Sequence, residues 1–333
     1  MRVFTGYRTN LFLSSLKSRG FTGSIKRALD KRDYARRGLP THVEIEITNR
    51  CNLSCPYCAA SRDLISDKGR DMKLEEFTKI ISDIVSEERY SPTIQLAFRG
   101  EPLLNKDATA MIGYARKKGL FVVISTNGLL IDEEAARKIV ASGLNHIVIS
   151  ADGATKETYE AMRRGGRFEK LLKAIELLVG EKRRTGSVWP FIEMQCVIMR
   201  KTESEISDFR KLAARLGADG VKFKTYKLTC LGRQDKAAAD LEGYLPKDAG
   251  YSRYKKENGR LVPKERAVRC SWGHDCLIYS DGDMGPCCGD YDKRHVAGNV
   301  LQENFWNIWT SDVAKSLRRK AGSRSLDICE GCS

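Results

Sequence analysis

Residues 51–58 read CNLSCPYC and place Cys51, Cys55 and Cys58 within eight residues. What surrounds these thiols decides what they do. The stretch follows His42-Val43-Glu44-Ile45-Glu46-Ile47-Thr48, which alternates apolar and polar residues as a half-buried strand does. The spacing CxxxCxxC would also line three thiols along one face of a helix, where they would simply pack. Pro56 and the polar neighbours Asn49, Arg50 and Asn52 favour a loop instead. In a loop, three thiolates this close repel one another unless a cation neutralises them, so a metal centre is implied. Three sulfurs are one short of the four that close a structural zinc or iron-sulfur site. Either a distant fourth ligand completes the set or one coordination position stays open.

The chain has 333 residues, enough for one large domain plus a smaller one and for a core that needs no cross-links. Its eleven cysteines therefore require another explanation. No apolar run approaches the roughly 18 residues of a membrane span. The cluster from Leu11 to Leu16 is too short and too interrupted for a signal peptide. A cytoplasmic protein is expected. In that reducing setting clustered cysteines serve as metal ligands or catalytic groups more often than as disulfides, and an odd count argues against complete pairing.

The net charge of +15 is unevenly spread. Residues 1–40 carry ten lysines or arginines against Asp30 and Asp33, a local excess of +8. Phe21, Ile25 and Leu29 recur every four residues there, so the segment reads as a basic amphipathic helix. Such a helix suits peripheral contact with an anionic membrane surface, the neighbourhood of an anionic substrate, or a solvated face packed on the main domain. Nucleic acid is not the expected partner, because neither an aromatic-basic RNA-binding signature nor a zinc-finger spacing is present.

From residue 41 strands and helices alternate. Strand-like runs at Thr93 to Phe98, Phe121 to Ser125, His146 to Ser150, Ile192 to Met199 and Val221 to Tyr226 join the first to make six. Amphipathic segments separate them: Leu74, Phe77, Ile80, Ile81 and Ile84; Ile131 to Ser142; Phe168, Leu171, Leu172, Ile175 and Leu178; Ile206, Phe209, Leu212, Ala213 and Leu216. Four intervening helices run into Gly119, Gly143, Gly180 and Gly217, placed to end them. This alternation predicts an α/β fold with a parallel sheet and right-handed crossovers. Six units make an open sheet or a partial barrel, and in both the chemistry gathers at the carboxyl ends of the strands. Those ends carry the cysteine cluster, Arg99-Gly100-Glu101-Pro102, Thr126-Asn127-Gly128 and Ser150-Ala151-Asp152-Gly153. After about residue 230 the alternation stops, and a domain boundary is expected between Thr229 and Val268.

With those positions, CxxxCx-aromatic-C with Tyr57 as the aromatic resembles the signature of the radical S-adenosylmethionine (SAM) superfamily. The resemblance implies a partial (β/α)6 barrel of the TIM type. It implies that Cys51, Cys55 and Cys58 hold three irons of a 4Fe-4S cluster whose fourth iron is chelated by SAM. Reduction by an external one-electron donor such as flavodoxin or ferredoxin then cleaves SAM to methionine and a 5'-deoxyadenosyl radical, which takes a substrate hydrogen atom. Gly100 and Glu101 match the motif that receives the methionine amino group, with Arg99 in place of its first glycine. Ser150 and Asp152 resemble the ribose-contacting motif, Arg163 sits where a basic residue meets the SAM carboxylate, and Val197, Ile198 and Met199 occupy the strand that lines the adenine. Asn127 is a further expected pocket residue. For these residues turns and core packing remain the competing readings.

The tail holds Cys270, Cys276, Cys287, Cys288, Cys329 and Cys332. By count alone, four of them would suit zinc. Cys270, Gly282 and Cys287 follow a pattern similar to the opening of the SPASM/twitch extension of radical SAM enzymes. That resemblance implies one auxiliary 4Fe-4S cluster ligated by Cys270, Cys287, Cys329 and Cys332, with Cys288 as the alternative to Cys287. The expected organisation is a basic segment over 1–40, the barrel over 41–229, a linker over 230–267 and the auxiliary-cluster domain over 268–333.

Two-cluster relatives of this kind resemble dehydrogenases of sugar-like alcohols, peptide-modifying enzymes and epimerases. An auxiliary cluster can accept the second electron of an oxidation, whereas an epimerase needs a hydrogen-atom donor, for which Cys230 is the candidate. Cys196, inside a strand, is expected in the core. Oxidation or epimerisation of a small polar, sugar-like and anionic substrate is the main expectation. A peptide-modifying maturase is the alternative, and a non-catalytic zinc or iron-sulfur module is the contrasting reading.

Overall fold

The computed structural model describes residues 29–30, 32–58, 69–228, 241–264, 270–329 and 332. All six expected strands form: β1 (His42–Ile45), β2 (Thr93–Leu96), β3 (Phe121–Thr126), β4 (His146–Ser150), β5 (Phe191–Ile198) and β6 (Gly220–Thr225). Each pairs in parallel with the next in chain order. Between them run α1 (Leu74–Ile84), α2 (Ala108–Lys117), α3 (Glu133–Ala141), α4 (Lys156–Met162), α5 (Phe168–Thr185) and α6 (Ile206–Leu216).

The period-2 pattern puts Val43, Ile45, Ile94, Leu96, Ile147 and Ile149 on one face, fully buried against helix stripes such as Phe77, Ile80, Ile81 and Ile84 of α1. Burying each side chain of this size stabilises the fold by roughly 1.5–3 kcal/mol. The other face carries Glu44, Gln95, His146, Glu193, Gln195, Lys222 and Lys224 interspersed with Val123, Val148 and Val197. In a flat sheet β1 and β6 would lie five strand spacings apart, roughly 24 Å at about 4.8 Å each. Glu44 of β1 is nevertheless within electrostatic reach of Lys224 of β6. The sheet is therefore curled into a partial barrel, and this face lines a lumen.

That curvature changes the meaning of the β1 alternation. A half-buried strand would show its polar side to solvent, yet Glu44 is 7% exposed and Glu46 0%. Helices cover one face and the curled sheet encloses the other. The tail also extends this sheet. β9 (Cys276–Ile278) pairs in parallel with β1, and β10 (Met284–Gly285) pairs antiparallel with β9, giving the order β10-β9-β1-β2-β3-β4-β5-β6. Neither strand is long enough to display a period in sequence.

Gly119, Gly143 and Gly217 follow their helices with φ of 77°, 73° and 75°, as expected. Gly180 does not: α5 passes through it to Thr185 and ends at Gly186. A mid-helix glycine costs about 1 kcal/mol. Two side-chain contacts brace the last turn: Lys182 Nζ reaches Asp219 at 2.6 Å, and Arg184 pairs with Glu181 at 2.7 Å.

Within residues 230–267 the structure describes 241–264, which include the hairpin β7 (Tyr254–Glu257) and β8 (Arg260–Pro263). Leu241 and Tyr254 pack with Met162, Met199, Tyr226 and Leu228 beside the barrel mouth. Two C-terminal helices follow, α7 (Phe305–Thr310) and α8 (Asp312–Gly322). Of the basic amino-terminal segment, Phe21 and Ile25 lie outside the described residues, residues 32–37 are helical, and Trp309 Nε1 donates to the Gly38 carbonyl at 2.8 Å. Among the described residues no helix is long and apolar enough to cross a membrane.

Candidate active site

The loop after β1 is fixed from both sides. Asn49 Oδ1 accepts from the Gly69 and Arg70 amides, each at 2.8 Å, and the Ser54 amide donates to the Arg164 carbonyl at 3.0 Å. The Cys58 amide donates to the Cys55 carbonyl at 3.0 Å, which folds the second half of the loop into a turn. Cys51 is exposed, Cys58 half-buried and Cys55 buried. Burial first, and then the neighbouring thiols and Asp152, push Cys55 up to about 11 against the charge of Arg163. A thiol held as Cys55 is stays protonated until a cation binds it.

Gly100 lies where a side chain cannot. A Cβ there would meet the Thr48 carbonyl oxygen at 2.3 Å and that of Arg50 at 2.7 Å. This close approach belongs to Gly100, so Arg99 replaces a glycine at a position free of it. The Arg99 side chain enters the lumen and forms a two-toothed pair with Glu46, Nε to Oε2 at 2.7 Å and Nη2 to Oε1 at 2.9 Å.

Glu101 is 2% exposed. Its Oε1 accepts from Thr126 Oγ1 at 2.7 Å and from the Leu103 amide at 3.1 Å, and its Oε2 accepts from the Asn127 amide at 2.7 Å. Burial raises its pKa while these donors oppose the shift. A carboxylate offers about four acceptor positions, so one remains for an incoming N–H. Asn127 braces the cysteine loop: its Nδ2 donates to Asn52 Oδ1 at 2.7 Å.

Asp152 joins the remaining motifs. It is fully buried and accepts from Arg163 Nε at 2.9 Å and Nη2 at 2.6 Å, from the Val197 amide at 2.7 Å, and from the Tyr57 hydroxyl. Burial works against the Arg163 charge, but Asp152 and the thiol side outweigh it and its pKa is raised. Tyr57 packs edge-on to Tyr226, with centroids 6.2 Å apart, and near Tyr244 at 6.0 Å. Ser150, half-buried, ends β4 opposite Gln195. Val197 is half-buried, whereas Ile198 and Met199 are 1% and 0% exposed, so of the three Val197 has the most open side chain. Cys196 is buried at 2%, as expected of a core residue. Cys230 lies outside the described residues.

The second thiol set is assembled from distant segments. Cys270 precedes a short 3-10 turn, and its amide donates to the Gly322 carbonyl at 2.9 Å. Cys287 and Cys288 follow β10, and Cys329 and Cys332 form a turn with the Cys332 amide on the Cys329 carbonyl at 3.1 Å. Cys329 lies within electrostatic reach of Cys332 and Cys270, Cys287 of Cys329, and Cys288 of Cys332 and Cys270. The Gly289 amide donates to Cys287 Sγ at 3.3 Å. Both adjacent thiols therefore face the set. Lys227 joins it, its pKa raised chiefly by Cys288 and also by Cys332 and Cys287. No motif announces Lys227 in the sequence; its position just past a strand end is the one signal.

Among the described residues, no three His, Cys, Asp or Glu side chains converge closely enough to chelate a single ion. A cluster takes one thiolate per iron and so accepts sulfurs spread around a larger object than a zinc ion. The two thiol groups, the open acceptor position of Glu101 and the glycine-permitted close approach fit an iron-sulfur cluster with a bound aminocarboxylate cosubstrate.

Comparison with known proteins agrees with this geometry. The family model of the radical SAM superfamily matches residues 45–213, and that of the SPASM iron-sulfur cluster-binding domain matches residues 270–333. The chain belongs to the radical SAM superfamily, and its tail is a SPASM domain. It is an enzyme of the SAM-cleaving class whose cofactors are a SAM-binding 4Fe-4S cluster, auxiliary iron-sulfur chemistry and SAM itself. It is 28% identical over 318 residues to mycofactocin maturase MftC of Mycobacterium tuberculosis, covering 89% of this chain and 77% of that one. It is 27% identical over 333 residues to an AdoMet-dependent heme synthase of Methanosarcina barkeri, covering 88% and 91%. In fold it is similar to Streptococcus suis SuiB bound to precursor peptide SuiA, with TM-score 0.62, 14% identity and coverage of 92% and 76%.

Proposed function

We propose that this chain is a peptide-modifying radical SAM/SPASM enzyme. The observation that carries the reading is the match over 89% of the chain to a maturase, with Cys58 of the first thiol set and Cys288 of the second both within electrostatic reach of Tyr291. The neighbour bound to a precursor peptide supports it, and so does the seam of the barrel. β6 is the last strand of the sheet, and every residue along it is half-buried or exposed. An open flank of this kind admits an extended chain. A small sugar-like substrate, the main sequence expectation, is supported less well than a peptide.

When bound, the reduced open cluster supplies the electron that splits SAM and so provides the hydrogen-abstracting species. Cys51, Cys55 and Cys58 would hold that cluster; Cys270, Cys329, Cys332 and one of the Cys287–Cys288 pair would hold the auxiliary one. Glu101 would accept the cosubstrate's amino group at its free acceptor position, with Gly100 allowing the approach. Asp152 would present the ribose side, held by Arg163 and Tyr57, and Val197 would line the base. Asn127 would keep the loop in register, and Cys230 is the proposed hydrogen-atom donor if the product is an epimer. The test is anaerobic turnover of the reconstituted enzyme with SAM, a reductant and short candidate precursor peptides, followed by mass spectrometry. A peptide mass change that tracks release of 5'-deoxyadenosine is expected. Oxidation of a free polyol with every peptide left unchanged would overturn the proposal.

A further inference from the structure

The lumen face of β6 carries charge where barrel interiors usually carry bulk. Lys222 is partly neutralised: its Nζ lies 3.7 Å from Glu193 Oε1, and His146 Nε2 lies 3.8 Å from the same oxygen. Lys224 sits one pleat nearer the carboxyl ends of the strands, opposite Val197. Among the described residues its ammonium makes no hydrogen bond or close ion pair, and the side chain remains open toward the lumen. The groups that face it are Glu44 across the lumen, Glu193 and Lys222 beside it, and Cys288 at the rim. Glu44 Oε1 is already engaged by Gln95 Nε2 at 3.1 Å. A cation in this position, open to the lumen and without a close anion among the described residues, is an anchor without its anion.

A second orphan lies on the next strand. Gln195 is 6% exposed, and its Oε1 is buried with no hydrogen-bond partner among the described residues. It lies directly opposite Lys222 and diagonal to Lys224. A buried acceptor left unmade costs about 1–3 kcal/mol, so a donor is expected to reach it when the lumen is filled. The pair thus asks for one negative group and one N–H at short separation. An amino-acid residue within a peptide offers both.

We infer that the lumen binds a carboxylate-bearing residue of the substrate peptide, with its carboxylate on Lys224 and its backbone N–H on Gln195 Oε1. This deepens the peptide-modifying reading and rests on it. It also places that residue between the two centres. Val197, opposite Lys224, donates its amide to Asp152 in the first motif set, while Lys224 faces Cys288 in the second. The carboxylate belongs either to the peptide's chain end or to an acidic side chain.

The test uses the enzyme with both clusters loaded and reduced, with S-adenosylhomocysteine in place of SAM so that no turnover occurs. The probes are N-acetylglycine as a chain end, N-acetyl-aspartyl amide as an acidic side chain and N-acetylglycinamide as the neutral control. Binding is read as paramagnetic broadening of the acetyl proton resonance. One acid is expected to bind at least about tenfold tighter than the neutral control, the scale of a hydrogen bond to a charged group. Which acid does so identifies the source. In Lys224→Met the preference should fall to within about twofold to threefold, Lys224→Arg should keep it, and Gln195→Leu should weaken both acids. Equal broadening by all three probes, or an acid preference intact in Lys224→Met at wild-type iron content, overturns the inference. Should Lys224→Met lose iron, Lys224→Arg against Lys224→Gln decides in the same way. A peptide modified without any carboxylate preference leaves the peptide-modifying reading standing and removes this one.

Discussion

The two cysteine centres are built by opposite means. The first takes three thiols from one loop, residues 51–58, pinned by Asn49 and closed by a single turn. The second takes thiols from three places: before a 3-10 turn, after a two-residue strand, and near the end of the described chain. A local site holds its spacing whenever the loop folds. The dispersed site exists only after β9 has docked on β1 and α8 has met the Cys270 turn. The first should therefore tolerate changes in the tail, and the second should not tolerate changes at the junction.

The largest expected effect separates the two directly. Cys55→Ala should abolish release of 5'-deoxyadenosine and lower the iron content of anaerobic protein from about eight to about four per chain. Cys329→Ala should lose a similar amount of iron yet still cleave SAM. Equal loss of cleavage in both variants would contradict the separation.

Next comes the junction itself. The Arg99–Glu46 pair is fully buried, the Ser280 amide donates to Glu46 Oε1 at 3.2 Å, and Arg99 Nη1 donates to the Tyr291 carbonyl at 3.0 Å. Phe98 stacks on Tyr291 with centroids 5.1 Å apart. Glu46→Gln leaves a buried guanidinium without its counter-charge, a loss on the order of 3–5 kcal/mol. Because the contacts made by Glu46 and Arg99 end on the segment that carries Cys287 and Cys288, chemical unfolding should show that loss together with impaired auxiliary-cluster loading. Normal loading at a lowered midpoint would mean that the pair supports the barrel alone.

A smaller effect tests the close approach beside the first centre. Gly100→Ala places a methyl 2.3 Å from a backbone carbonyl. The loop must move, and SAM affinity by equilibrium dialysis should fall at least about tenfold, the change that goes with about 1.4 kcal/mol. Unchanged affinity would show that the loop adjusts without cost.

The smallest effect is a pH dependence in the lumen between the centres. Burial raises Glu44 from 4.5 to about 7, with Lys224 and Gln95 pulling the other way. A carboxyl group with a raised folded-state pKa stabilises the protein fully below the unfolded value and loses that contribution as pH rises through the folded one. Glu44→Gln cannot ionise. Relative to the wild type it should gain roughly 1–3 kcal/mol by pH 8, tempered by the open lumen, with the gain shrinking toward pH 5. Unfolding midpoints across that range check it, and a difference that stays flat with pH would exclude Glu44 as its source.

Much of this was legible because it is local. Alternation located six strands, and spacing located three thiols, Gly100 and Glu101 at strand ends where parallel α/β folds keep their chemistry. Gly180 misled because a single mid-helix glycine costs about 1 kcal/mol, less than the burial of Leu171, Ile175 and Leu178 on the same helix returns. The polar half of β1 misled for a different reason: period 2 separates two faces but does not say whether the second meets water or a curled sheet.

The sequence by itself determined the alternation and the loop that carries Cys51, Cys55 and Cys58, and its resemblance to the SPASM/twitch extension led to the expectation of a second set that includes Cys270, Cys329 and Cys332. Only the tertiary structure decided that β9 extends the barrel sheet, that Glu46 answers Arg99, that both Cys287 and Cys288 face their partners, and that Lys224 and Gln195 Oε1 have no hydrogen-bond partner among the described residues. The physical reason is range. Periodicity and spacing act over a few residues of chain, whereas a shared lumen depends on how far the whole sheet curls.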